Sequence, residues 1–183
     1  MKNTSHRLAV WAGVVGVILL IPLFFTIRDG GVEGVGWNWT LFDFVWMGIL
    51  LFGAALVYEL VIKKMGSGMY RAAGALAVAT SVLLVWINGA VGIIGNDTGA
   101  NLLYFGVLVI GAIGAIVAHF QPRGMASALF AMACAHALVP VIVLLIWKPD
   151  ITVDIFGVVM LNAFFVMLFV ASGFLFRRAA GKK

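Results

Sequence analysis

The sequence predicts an all-α integral membrane protein, a bundle of six transmembrane helices with both termini in the cytoplasm. Of its 183 residues, 64% are hydrophobic and only 10% are charged, whereas soluble domains carry about 25% charged residues. Six apolar runs have the roughly 20 residues that a helix needs to cross a hydrocarbon core of about 30 Å. Basic residues are also distributed unevenly among the segments that join these runs.

The predicted helices follow one another with short connections, so we expect one compact domain over residues 1–183. In chain order they are Leu8–Ile27, Leu41–Ile62, Ala72–Ile94, Asn101–Phe120, Met125–Trp147 and Ile155–Phe176. The first run follows basic residues, as a signal peptide would, but it exceeds the 7–15 apolar residues of a signal. We therefore expect it to be retained as a helix.

Polar residues near the ends of helix two have structural explanations. Thr40 and Asp43 have the spacing of a capping box at the start of the helix. Glu59 and Lys63 are four residues apart and can form an ion pair at the other boundary. We also expect Pro122 to end helix four, in a tight turn before helix five.

Topology follows from lysine and arginine, which concentrate on the cytoplasmic side of bacterial membrane proteins. With six spans, ten basic residues fall on one side and two, Arg28 and Lys148, on the other. The ten are Lys2, Arg7, Lys63, Lys64, Arg71, Arg123, Arg177, Arg178, Lys182 and Lys183. This placement explains the net charge of +5 without a nucleic-acid partner, and the partner expected first is the lipid bilayer.

The stretch Trp86–Asn101 is the main polar and glycine-rich interruption of the chain. Asn88 lies about 24 Å along predicted helix three, in the outer third of the membrane. Ser81 and Asn88 share a helix face with Gly92 and Gly95, and glycine recurs at every third position from Gly89. Packing through Gly89, Gly92 and Gly95, with the Asn88 amide bonded to a neighbouring helix, is the structural interpretation. A ligand-binding face is the functional alternative.

Two further helices carry polar groups inside apolar runs. Asn162 is the eighth residue of predicted helix six, about 10 Å in and therefore level with Asn88. Two amides at one depth can bond each other, which is the structural interpretation, or flank a polar ligand. His136 is the midpoint of helix five, and Pro140 removes the hydrogen bond that the carbonyl of His136 would accept. Ionisable groups inside a membrane are candidates for function, whereas a neutral histidine bonded to a neighbour is the alternative.

Gly111 and Gly114 give helix four a small-residue packing face, which can serve an internal or an intersubunit contact. No cofactor or metal site is predicted. Two axial histidines could hold a haem, but His119 and His136 differ in depth by about 10–16 Å along their helices. The sequence also has no phosphate-binding glycine loop and no nucleophile elbow.

Three segments resemble a group of small multi-pass proteins of bacterial inner membranes. They are Trp86–Gly95, with the letters WINGAVGIIG, Ala100–Gly106, with ANLLYFG, and Pro122–Ala126, with PRGMA. The resemblance covers roughly helices two to five. It implies a bacterial cytoplasmic membrane and a similar helical bundle, and it implies no activity.

The absence of reactive groups beside many glycine and alanine faces favours a non-enzymatic protein that works through helix–helix contacts. We expect an accessory subunit of a larger membrane complex, or a homo-oligomer. The alternative is a small-solute carrier or channel, with Asn88, His136 and Asn162 lining a polar cavity in the outer half of the membrane.

Overall fold

The computed structural model describes residues 4–30, 36–64, 67–94, 98–146 and 155–181. These ranges contain six α-helices, each long and apolar enough to cross a membrane, and a short 3₁₀ turn, Ile62–Lys64. The helices are α1 (Thr4–Arg28), α2 (Leu41–Leu60), α3 (Gly68–Ala90), α4 (Thr98–Val117), α5 (Pro122–Ile146) and α6 (Ile155–Ala180). The predicted all-α class with six candidate membrane helices is confirmed.

Helix α3 lies about one turn earlier than the hydrophobic run predicts. Ser67 caps its start, because the Ser67 side chain accepts a hydrogen bond from the backbone N–H of Tyr70. Its end is set by Gly92, which has a φ of 66° and donates its N–H to the carbonyl of Asn88. This left-handed residue after the last turn is a common way to end a helix, so the apolar residues that follow it are not helical.

The connection between α4 and α5 differs from the prediction at Pro122. Helix α4 ends at Val117, because His119 and Phe120 adopt left-handed φ values of 46° and 55°. Pro122 is instead the first residue of α5, where its missing N–H costs nothing. The hydroxyl of Tyr70 donates to the carbonyl of Phe120 over 2.7 Å, which fastens this turn to the start of α3.

The chain forms two compact units, residues 1–64 and 65–183, which the sequence treats as one domain. The first unit is a hairpin of α1 and α2. Thr40 and Asp43 form the predicted capping box at the start of α2. Asp29 holds the other side of the connection, since it accepts hydrogen bonds from Arg28 and from the backbone N–H of Trp37. The hydrogen bond from Arg28 lowers the pKa of the Asp29 carboxyl, and the bond from Trp37 lowers it to a smaller extent.

The second unit contains α3 to α6. Helix α6 packs against both α3 and α5, and α4 packs mainly against α5. The core of this unit includes large side chains that are almost fully buried, among them Tyr104, Phe165, Phe169 and Phe176. A hydrogen bond of 2.9 Å from the Ser172 hydroxyl to the Ala73 carbonyl joins α6 to α3.

The small residues predicted on α4 form an internal contact with α5. A Cβ atom placed on Gly114 would lie 2.6 Å from the Cβ and 3.3 Å from the Cα of Ala128, and one on Gly111 would overlap the side chain of Met132. At Gly114 an added methyl group would meet Ala128 itself, so glycine favours this close contact between α4 and α5.

Candidate functional site

A buried polar cluster in the second unit joins three helices. The hydroxyl of Tyr104 on α4 donates to Oδ1 of Asn162 on α6 over 3.1 Å and accepts from Nδ2 of the same side chain over 3.0 Å. Nδ2 also donates to the carbonyl of Val158 within α6. The ring of Tyr104 lies 5.1 Å from that of His136 on α5, measured between centroids. Tyr104 thus connects two residues that the sequence singled out.

His136 is fully buried, with no exposed surface. Its ring lies among the rings of Tyr104, Phe165 and Phe169, at centroid distances of 5.1 to 6.0 Å. Neither ring nitrogen has a hydrogen-bond partner among the described residues. Phe165 and Phe169 follow Asn162 by three and seven residues, so His136 lies about 5–10 Å further along α6.

Asn88 belongs to a different contact. Its Nδ2 donates to the carbonyl of Asn101 on α4 over 3.0 Å, and Asn101 Oδ1 accepts from the N–H of Ile94. The amide oxygen of Asn88, Oδ1, is buried and has no hydrogen-bond partner in the described part of the chain. Asn101 and Tyr104 are about one turn apart on α4. Asn88 and Asn162 therefore bond to neighbouring positions on α4, Asn88 to Asn101 and Asn162 to Tyr104. The structure places His136 and Asn162 each in contact with Tyr104, whereas Asn88 bonds to Asn101 at the end of α3.

The remaining predicted residues have local roles or lie outside these contacts. The hydroxyl of Ser81 donates back to the carbonyl of Ala77 in its own helix, as serine commonly does in apolar helices. Gly89 is exposed, and Gly92 ends α3 rather than packing within it. Gly95 falls outside the described residues. Pro140 is half-buried, and α5 continues past it to Ile146.

A second polar cluster lies inside the α1–α2 hairpin, around Glu59. The Glu59 side chain is only 4% exposed, and its Oε1 accepts hydrogen bonds from Lys63 over 3.0 Å and from the Trp11 indole over 3.1 Å. Oε2 accepts no hydrogen bond from the described residues, but Nε of Arg7 lies 3.5 Å away. The predicted Glu59–Lys63 pair is confirmed, and α1 supplies two further partners. A buried carboxylate without such partners would be strongly destabilising.

The two clusters differ in how their polar groups are satisfied. Glu59 has charged and polar partners, whereas the imidazole of His136 is surrounded by aromatic rings and has no hydrogen-bond partner among the described residues. Among the described residues, no group of three or more His, Cys, Asp or Glu side chains could hold a metal ion.

Sequence reasoning missed Tyr104, Trp11 and Arg7 as partners. A signal for Tyr104 exists, because a tyrosine inside an apolar helix needs a partner for its hydroxyl. No signal identifies that partner as Asn162, which is 58 residues away in the chain. Arg7 and Trp11 lie four residues apart on α1, so they share a helix face, but the acidic residue that faces them depends on how the hairpin closes.

Comparisons of the chain with protein-family models, with curated proteins and with solved structures find no match. The function must therefore be inferred from the residues of this chain alone.

Proposed function

We propose that this protein is a non-enzymatic integral membrane protein that works through helix–helix contacts, as a homo-oligomer or as an accessory subunit of a larger membrane complex. The observation that carries the proposal is a contrast between the buried amide side chains and the exposed small residues of α1. The inward-facing amides are engaged in internal hydrogen bonds, whereas helix α1 presents small residues with free space around them.

The proposed location is a bacterial cytoplasmic membrane, with both termini in the cytoplasm. Six long apolar helices support a multi-pass protein, and the outer faces of several helices carry large exposed hydrophobic side chains such as Phe24, Leu41, Ile116 and Phe156. Exposure of such an apolar surface is unfavourable in water but not in lipid. The excess of basic residues on one side supports the orientation, and the resemblance to bacterial inner-membrane proteins supports the compartment.

The proposed contact face lies on α1. Ala9 and Gly13 are four residues apart, as are Ala12 and Gly16, and all four are exposed. No atom lies within 4 Å of a Cβ placed on Gly13 or on Gly16. Pairs of small residues at this spacing let two membrane helices approach closely, which is a main source of helix association in lipid.

The alternative, a small-solute carrier or channel, needs a polar cavity lined by Asn88, His136 and Asn162. Their exposed fractions are 8%, 0% and 3%. Asn162 is hydrogen-bonded to Tyr104 and Asn88 to the Asn101 carbonyl, while aromatic rings surround His136. The small cavity of about 30 Å³ beside Pro140 is lined by apolar residues. This packing favours the contact-forming role over transport.

The test is to extract the protein from its membrane in native nanodiscs and to measure its assembly by native mass spectrometry. We expect an oligomer, or a complex of fixed stoichiometry, for the unchanged chain. The double substitution Gly13→Leu/Gly16→Leu should release mainly the single chain, because leucine prevents close approach of another helix.

Gly106→Leu is the matched control. Gly106 also has no atom within 4 Å of an added Cβ, but its exposed neighbours on α4 are large, among them Leu102 and Val109. The control should assemble like the unchanged chain. A single species without partners for the unchanged protein would overturn the proposal and favour the carrier. Equal assembly of the α1 variant and the unchanged chain would reject α1 as the contact face.

A further inference from the structure

A groove of about 450 Å³ opens at the basic end of the second unit, between the start of α5 and the end of α6. Its walls are formed by Arg123, Ala126, Ser127 and Phe130 from α5 and by Arg177, Ala180 and Gly181 from α6. Neither Asn88 nor the Tyr104 cluster belongs to it.

No acidic side chain of the described residues forms an ion pair with the arginines of this groove. The three ion pairs of the described residues involve Arg7, Arg28 and Lys63, so no described carboxylate lies within 4 Å of Arg123 or Arg177. The acidic residues of the second unit, Asp97, Asp150 and Asp154, follow α3 and α5 in the sequence and lie outside the described residues.

The two helix ends beside the groove contribute partial charges of opposite sign. The start of α5 adds a positive partial charge, and the end of α6 adds a negative one, which Arg177 and Arg178 in its last turn offset. The two arginine side chains therefore dominate the charge of the groove. Guanidinium groups bind phosphate oxygens with two parallel hydrogen bonds, so a pair of them favours a phosphate-bearing anion.

The groove is also amphipathic along its length. Phe130 lies about 10 Å along α5 from Arg123, and its ring packs edge-on against Phe174 at a centroid distance of 5.3 Å and also against Gly173. An anionic headgroup at the arginines would thus have an apolar surface beside it, toward the middle of the helices. This is the arrangement of a phospholipid at a membrane boundary.

We propose that the groove lined by Arg123 and Arg177 binds a phosphate group, supplied by an anionic phospholipid of the membrane leaflet at the basic end. The site is independent of the association face on α1, so each can fail without the other.

The test uses the full-length purified protein in detergent, with phosphatidylglycerol and phosphatidylcholine added in equal amounts, and counts bound lipids by native mass spectrometry. Since each arginine near the surface favours anionic lipid, the two together should give roughly a 30-fold preference for phosphatidylglycerol. The variant Arg123→Gln/Arg177→Gln should reduce this preference to roughly the level of a neutral site. The single variant Arg177→Gln should lower it by about five-fold.

Arg71→Gln/Arg178→Gln is the matched control, because it removes the same charge near the same end of the helices from residues that do not line the groove. It should keep the preference for phosphatidylglycerol. Circular dichroism and thermal unfolding confirm that each variant is folded, and the single variant serves if the double one is not.

A second arm adds inorganic phosphate or glycerol phosphate as competitors. No displacement of phosphatidylglycerol at millimolar concentrations would support the lipid as ligand. Displacement that depends on Arg123 and Arg177 would support a phosphate site but overturn the lipid as its source. An equal loss of the preference for phosphatidylglycerol in the groove variant and in its control would overturn the site itself. The absence of this preference in the unchanged protein would also overturn it.

Discussion

At Tyr104 a single hydroxyl group both donates to and accepts from the amide of Asn162. Both side chains are almost fully buried, so water cannot replace either bond. In membrane bundles such side-chain bonds contribute on average about 0.6 kcal/mol and up to about 1.7 kcal/mol. A buried amide that loses its partner costs about 1–3 kcal/mol.

Tyr104→Phe should therefore destabilise the protein by about 1–2 kcal/mol, measured by reversible unfolding in mixed micelles. A double-mutant cycle with Asn162→Leu should give a coupling energy of about 1 kcal/mol. The control is Tyr58→Phe, at a half-buried position of the hairpin, which should change stability by less than about 0.5 kcal/mol. A coupling energy near zero would show that the two side chains do not bond.

The residue type of His136 suggests a function that its surroundings in the structure do not support. Its position inside an apolar helix makes it a natural candidate for function, yet the surroundings supply rings and no hydrogen-bond partner in the described part of the chain. The sequence identified this residue and Asn162 from their polarity alone. It could not identify Tyr104 as the link between them, because a side chain's partner depends on which helices become neighbours.

At the scale of helices, the contact between α4 and α5 depends on residues that lack bulk. Gly114 lies against the backbone and Cβ of Ala128, which cannot move without shifting α5, whereas Gly111 lies against the flexible side chain of Met132. Gly106, on the same helix, has no neighbour within 4 Å of an added Cβ. The three glycines therefore differ in how much room they leave.

The substitutions Gly106→Ala, Gly111→Ala and Gly114→Ala should have graded effects on unfolding free energy. Gly114→Ala should cost about 1–3 kcal/mol, as overpacking of a tight contact does. Gly111→Ala should cost less, because methionine adapts to new neighbours. Gly106→Ala should cost nothing, since alanine favours helix over glycine. Equal effects at all three positions would contradict this packing of α4 against α5.

The helix boundaries could be predicted only in part, and the errors have physical causes. Hydrophobic runs continue through Ile93 and Ile94, but the left-handed backbone of Gly92 ends α3 before them. Pro122 reads equally as the end of one helix or the start of the next, and the conformations of His119 and Phe120 decide for the start of α5. Composition does not encode these backbone angles.

For the molecule as a whole, the division into residues 1–64 and 65–183 matters most. Each unit contains its own buried polar cluster, around Glu59 in the first and around Tyr104 in the second. Every partner that the described residues give these clusters lies in the same unit. The second unit thus has the internal contacts expected of a part that folds without the first.

We therefore expect a fragment of residues 65–183, expressed alone, to insert in the membrane and to fold. Its dependence on Tyr104 should match that of the full chain, so Tyr104→Phe should destabilise both by the same amount within about 0.5 kcal/mol. Unfolding in micelles measures both values. Degradation of the fragment, or a fragment that does not respond to the substitution, would show that the hairpin is needed for the bundle.

The sequence by itself determined the number, class and approximate positions of the helices. Backbone groups in hydrocarbon must be bonded within their own segment, so each helix is a local property of one apolar run. It also singled out Asn88, His136 and Asn162, which are among the buried polar side chains of the described residues. Only the tertiary structure decided that α6 packs against both α3 and α5, that Asn162 bonds Tyr104 rather than Asn88, and that Arg123 and Arg177 share a groove. The physical reason is that apolar helix faces are chemically alike, so their pairing depends on the shapes of side chains that meet across long stretches of chain.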